Sequence, residues 1–197
     1  MAGRRSSARP PQATVARERR LHVEQTRGFR FVVGWGLKRS ATVVPAPLRY
    51  WQYRPAGPTA IAFVVLVVGL WLGAFAWVGG WPEVRGELPL ALIAGLSVLV
   101  LSTGRFTVSA HGMSFDVAAT RTEPARVVPL LLVREVRVGR PPEGWPKPRR
   151  RGGWWPGRTR VAVRHLADDE AGGEQAFTLW VRDPEDVAAA LGVPLER

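Results

Sequence analysis

Three consecutive guanidinium groups, Arg149, Arg150 and Arg151, stand a few residues ahead of Trp154, Trp155 and Arg158. A guanidinium fork binds phosphate oxygens in pairs, and an indole rests at a membrane interface or stacks on a base. The stretch Pro146–Val163 therefore has three readings. It is a nucleic-acid surface, an interfacial anchor, or a basic loop leading into a strand, with tryptophans that cap a small core. These six residues are the candidate contacts to lipid or to a partner.

No other residue set in the chain has the spacing of a reactive site. Cysteine is absent, which removes disulfides, thiol nucleophiles and thiolate-ligated metals. His22, His111 and His165 are far apart in sequence and form no metal-spaced pair. The acidic run Asp168-Asp169-Glu170 has no further carboxylates at calcium-loop spacing and reads as a solvated hairpin turn. "GWGLKRS" at Gly34 lacks the spacing of a phosphate-binding loop. "GMSFD" at Gly112 ends in Asp116 where a nucleophile elbow needs glycine. The expectation is a protein that is not an enzyme, with no cofactor and no metal.

What holds the arginines in place is suggested by the uneven hydropathy of the chain. Thr59–Trp81, "TAIAFVVLVVGLWLGAFAWVGGW", has no charge over 23 positions, and Leu88–Gly104 is a second uncharged run of 17. At about 1.5 Å per residue the first run crosses a hydrocarbon core of about 30 Å, and the second is at the short end of the spanning range. Both are expected to be membrane spans. The short connector Pro82–Glu87 would make them an antiparallel hairpin. Gly69 and Gly73 have the small-xxx-small spacing that lets helices approach. Arg39, Arg49 and Arg54 precede the first run and Arg105 follows the second, so both termini are expected in the cytoplasm. Trp51 and Tyr53 read as part of an interfacial aromatic belt. The expected location is a bacterial plasma membrane, with the chain crossing it twice.

Three zones follow. Residues 1–58 carry 12 Lys/Arg against 2 acids and are expected to be a basic, largely disordered cytoplasmic region. Within them, "GFRFVVGWGLKRSATVV" alternates at strand spacing but is broken by glycines and charges. It is either a strand added to the C-terminal sheet or a segment resting on the membrane. Residues 59–104 form the transmembrane hairpin, with spans 59–81 and 88–104. Residues 105–197 change to short alternating runs: "RFTVSA", "MSFDVAA", "VREVRV", "RTRVAVRHL" and "QAFTLWV". A final helix is signalled by Asp183 as N-cap, Pro184 at the first position and Gly192 as C-cap. Four or five antiparallel strands closed by a terminal helix make an α+β unit.

The order "VSAHGMSF", "VVPLLLVREVRV", "GGWWPGRTRVAV", "FTLWVRDPEDVAAAL", behind a two-helix hairpin, resembles the pleckstrin-homology-like domain of small bacterial membrane proteins, many of them actinobacterial. The resemblance covers residues 60–192. It implies a small sheet unit after a membrane hairpin and brings no catalytic residues. The chain departs from it in the basic insertion Gly139–Arg151 and in its N-terminal extension. The function expected is a membrane-tethered binding or scaffolding module whose ligand is a protein or an anionic lipid headgroup. The alternative is a protein that tethers nucleic acid to the membrane through its basic N-terminal tail. That tail has no base-reading motif, which makes nucleic acid the weaker partner.

Overall fold

The computed structural model describes residues 10–30, 38–39, 46–117, 120–167 and 173–197. It is an α+β fold with three helices and two main sheets. The first sheet has the order β3 (Tyr50–Arg54), β4 (Gly104–Val108), β5 (Gly112–Val117), β6 (Val127–Pro129), all antiparallel. The second is built on an antiparallel centre of β7 (Val133–Val138), β9 (Thr159–Leu166) and β10 (Glu174–Val181). Short strands β11 (Leu195–Glu196) and β8 (Arg149–Arg150) pair in parallel at its two edges.

The alternation in the sequence dictates the core between the sheets. Phe106, Val108 and Met113 from the first sheet meet Val136, Val161, Val163, Leu179 and Val181 from the second in one buried cluster. Helix α3 (Pro184–Leu191) closes it with Val187, Ala188 and Leu191. Its C-cap Gly192 is left-handed at φ 68, and Gly192 and Val193 both donate back to the last turn, the αL ending that glycine permits without strain. Asp183 occupies the N-cap, but its side chain makes no capping hydrogen bond. Turn chemistry fixes the β4–β5 hairpin: Ser109 Oγ accepts from the backbone N–H of His111 and Gly112 at 3.1 and 3.2 Å.

The strand that opens the first sheet lies before the apolar segment, and the rest of that sheet lies after it. Arg54 pairs with Gly104 and Tyr50 with Val108, so helix α2 (Pro58–Ser102) is inserted between two neighbouring strands. Gln52 locks this strand to the second sheet. Its Nε2 donates to Trp180 O at 3.0 Å, and its Oε1 accepts from Arg182 N at 2.9 Å and Tyr50 OH at 2.7 Å. Trp51 and Tyr53 are therefore strand residues, in edge contact at 5.5 Å. The sheet unit does not begin at residue 105 as the pattern alone suggested.

Helix α2 is long and apolar enough to cross a membrane. It does not run straight, because Gly80 interrupts it at φ 71, ψ −158, a region open essentially to glycine alone. The chain folds back there, and a Cβ on Gly95 would come within 3.2 Å of Val64 and Val68. Residues 82–87, expected as the connector, are helical. The close approach is made by Gly95, while Gly69 and Gly73 face open space.

Part of the N-terminal zone, expected to be largely disordered, is helical. Residues Gln12–Arg27 form helix α1, with Val15, His22, Val23 and Thr26 buried against β5, β6 and the turn between them. These four positions fall on one helical face. Arg19 Nε donates to Val127 O at 3.1 Å, and Glu18 meets His111 at 2.9 Å. In the segment with two open readings, β1 (Phe29–Arg30) and β2 (Lys38–Arg39) pair with each other in a separate two-stranded sheet. Residues 31–37 and 40–45 lie outside the described residues.

Candidate functional site: arginine-lined clefts at the foot of the helical segment

The basic insertion is anchored as an edge strand. Arg149 and Arg150 form β8 opposite Phe177 and Thr178, and Arg151 N donates to Thr178 O at 2.7 Å. The peptide then turns through Gly152 at φ 112 and Gly157 at φ 72, and β9 begins at Thr159. Arg158 Nη2 donates to Tyr53 O at 2.8 Å, which ties the end of this loop to β3. The loop is thereby carried to the place where β3 runs into α2 and α2 runs into β4.

Two adjacent clefts lie there. One, of about 180 Å³, is lined by Arg54, Gly57, Thr59, Trp154, Trp155 and Arg158 among others. The second, of about 290 Å³, is lined among others by Leu101, Phe115, Asp116, Arg126, Arg150 and Arg151. Arg54, Ser102 and Gly152 line both. Thr59 and Ser102 sit at the two ends of α2, so both clefts open at the foot of the apolar segment.

Arg54 occupies the centre of this arrangement. A Cβ on Gly104 would approach its Nη2 to 2.6 Å, and one on Gly152 would approach its Cδ to 2.8 Å. Two glycines thus make the slot in which the guanidinium lies. Among the described residues no carboxylate pairs with Arg54, Arg150, Arg151 or Arg158. Burial and then the neighbouring Arg151 lower the pKa of Arg54. Burial and then Arg149 and Arg126 lower that of Arg151. Arg158 is lowered by burial and then by Arg182. Guanidinium stays charged throughout the physiological range, so the shifts report charge that is partly removed from water and, secondarily, crowded by like charge, both of which an anion would relieve.

Asp116 is the one carboxylate lining either cleft; one of its oxygens is engaged in a buried network, and the other, Oδ1, has no hydrogen-bond partner among the described residues. Its Oδ2 accepts from Ser114 and Thr122 at 2.9 Å and from Arg105 Nη2 at 3.3 Å. Arg105, read in the sequence as the basic residue that follows the second apolar run, is 5% exposed and belongs to this buried network. Arg126 shares its charge with Glu123 at 3.0 Å.

Of the six residues expected to make contacts, Arg150 and Arg151 line one cleft and Trp154, Trp155 and Arg158 the other. Arg149 lines neither. The tryptophans do not cap the core: Trp154 is 56% exposed, and neither indole belongs to the buried cluster. Sequence reasoning missed Arg54 and Arg126 as site residues. Arg54 was weighed only for topology, and nothing local tells that β3 and the loop converge on it 100 residues apart.

The remaining candidates lie apart from this site. His165 is buried on β9, with Nδ1 2.8 Å from Leu166 O, and burial lowers its pKa. His22 lies on α1 and meets Ser109, and His111 meets Glu18 of α1. The acidic run at 168–170 lies outside the described residues. Among the described residues no three His, Asp or Glu side chains gather as metal ligands. No protein-family model, no curated protein and no solved structure matches the chain.

Proposed function

We propose that the chain is an integral membrane protein in which both arms of α2 cross the bilayer and both termini lie in the cytoplasm. The sheet unit then acts as a non-enzymatic binding or scaffolding module held at the inner leaflet, resembling a pleckstrin-homology-like domain. Its ligand is anionic lipid or a protein that docks beside it. The arms 58–79 and 81–102 are each about 33 Å long at 1.5 Å per residue, enough for a hydrocarbon core of about 30 Å. Leu66, Leu70, Trp77, Leu92, Ile93 and Leu96 are exposed along them, far more apolar surface than a water-facing helix carries.

One observation carries the binding assignment: the Arg/Trp loop shares its clefts with Thr59 and Ser102, the two ends of α2. A bilayer around α2 places its headgroups at those residues. Each arginine near an anionic leaflet contributes about 1 kcal/mol. Helix α1 docks on the sheet through Val15, Val23 and Arg19, which commits part of the basic N-terminal region to the protein itself and disfavours nucleic acid as its partner.

The test uses the whole chain, because a fragment from residue 105 would lack β3. Full-length protein in mild detergent is incubated with an equimolar mixture of neutral and anionic phospholipids, and the retained lipid is measured by mass spectrometry. Anionic lipid should be enriched, and the triple change Arg149/Arg150/Arg151→Ala should reduce the enrichment. Retention matching the mixture would end the lipid assignment. For topology, single cysteines at Glu83 and Arg182 should label from outside only at Glu83. Outside labelling at Arg182 would refute the orientation.

A further inference from the structure

We infer that the two clefts form one headgroup site, centred on Arg54, for an anionic phospholipid that carries two phosphates. This rests on the lipid-facing reading of the loop and goes beyond it by assigning the site and the class of lipid. Arg54 and Gly152 line both clefts, so a single guanidinium stands between two compartments with separate cationic walls. On one side is Arg158, with the N-cap Gly57 and the first-turn Thr59 of α2. The first-turn N–H groups of a helix favour a phosphate oxygen. On the other side are Arg150 and Arg151, with Arg126, itself paired with Glu123, in the same lining.

Size and charge agree with a phosphate in each compartment. Cavities of about 180 and 290 Å³ fall below the roughly 300–1,000 Å³ of pockets that enclose whole organic ligands. Asp116 is already ion-paired with Arg105, and Ser114 and Thr122 also engage its Oδ2, while its Oδ1 is buried without a partner among the described residues; its single charge leaves Arg54, Arg150 and Arg151 in excess. Arg54 has its guanidinium held between Gly104 and Gly152 with no carboxylate partner among the described residues. It is therefore set to bridge two anions through opposite edges of its planar fork. The lipid source follows from the flanks: exposed Leu101 and Trp154 border the clefts and offer apolar surface to acyl chains. Basic pockets at the cytoplasmic ends of membrane helices suit such headgroups.

The experiment is native mass spectrometry of the full-length chain in detergent. It is titrated separately with diphosphatidylglycerol, with phosphatidylglycerol at equal phosphate concentration, and with inorganic pyrophosphate. The two-phosphate lipid should bind about tenfold or more tightly than phosphatidylglycerol, the gain of one further charge-assisted contact. Arg54→Gln should abolish that preference. Arg151→Gln, at a position only partly covered and outside the buried core cluster, should reduce it. Arg140→Gln removes the same charge away from both clefts and should leave it intact. Equal binding of the two lipids at matched phosphate would overturn the two-phosphate site while leaving the lipid-facing loop standing. Failure of either lipid to bind would overturn both. Displacement of the lipid by micromolar pyrophosphate would overturn the assignment to a lipid, and an effect of Arg140→Gln equal to that of Arg151→Gln would overturn the location.

Discussion

Acidification should release helix α1 from the sheet, and His22 sets the size of the effect. Its ring is fully buried beneath α1, with Nδ1 2.7 Å from Ser109 Oγ and Nε2 without a hydrogen-bond partner. Burial lowers its pKa from the ordinary 6.5 to about 4. The Asp116 charge opposes the shift, while His111 and Arg105 add to it. The folded pKa is depressed, so the undocked helix binds a proton more tightly than the docked one. The stabilisation is complete above about pH 6.5 and is lost as pH falls from there to about 4. With 1.36 kcal/mol per pKa unit, the loss is about 2 kcal/mol at pH 5 and about 3 kcal/mol at pH 4. Hydrogen exchange of the amides of residues 12–27, corrected for intrinsic rates, reports the opening free energy at pH 7.5 and pH 5. The amides of β9 and β10 serve as the internal reference. Protection of α1 should fall by roughly an order of magnitude or more relative to those strands. His22→Gln keeps a hydrogen-bonding group toward Ser109 and removes the titration, and should flatten the dependence. A pH-independent α1 in the parent protein would refute the reasoning, as would an unchanged dependence in His22→Gln.

Three further outcomes follow from the packing. Gly80→Ala places a Cβ at φ 71, ψ −158, at a cost of about 1–3 kcal/mol. Disulfide formation between cysteines at Val64 and Gly95, where a Cβ on Gly95 comes within 3.1 Å of the Val64 side chain, should fall relative to the parent pair, and equal yields would show that the fold-back does not depend on Gly80. Asp116→Ala strands the buried Arg105 without its counter-charge and should destabilise the sheet unit by about 3–5 kcal/mol. The double change Arg105→Met/Asp116→Leu should recover most of that, measured by chemical unfolding in detergent, and a double variant as unstable as the single one would contradict the account. Gln52→Ala removes the amide that joins β3 to Trp180 and Arg182. It should cost about 1–3 kcal/mol through the buried groups left unpaired, and an unchanged melting temperature would show the link to be dispensable.

The elements legible in the sequence were those whose signal is local. The alternation in "VREVRV", "RTRVAVRHL" and "QAFTLWV" becomes β7, β9 and β10, because a sheet with one face on a core demands period two. The terminal helix was marked by Pro184 and Gly192, whose backbone preferences act within one turn. The apolar segment was marked by the absence of charge. Helix α1 was hidden because Val15, Leu21 and Val23 are its only large apolar residues among many arginines. Much of its buried face is polar, His22 and Thr26, and an amphipathic pattern does not count them. The bend at Gly80 was hidden for a related reason. Charge marks what leaves a membrane, and so pointed to Pro82–Glu87, whereas the fold-back needs a backbone angle that only glycine supplies.

The candidate site was half legible, and the missing half follows from the insertion. Trp51, Tyr53 and Arg54 look like the aromatic and basic residues that flank a membrane span, and strand β3 has the same composition. The two readings coincide because β3 lies directly before the apolar helix: it pairs with β4 across the ends of α2 and so brings Arg54 beside Gly104. Any segment inserted between neighbouring antiparallel strands must return to within about 5 Å of where it left. Both ends of α2 are thereby forced onto one edge of the sheet, and the Arg/Trp loop reaches that edge through Arg158 and Tyr53. The two arginine groups therefore meet because of register. A change that slips β3 by one residue would turn Arg54 to the opposite face and empty the centre of the site while leaving every loop arginine in place.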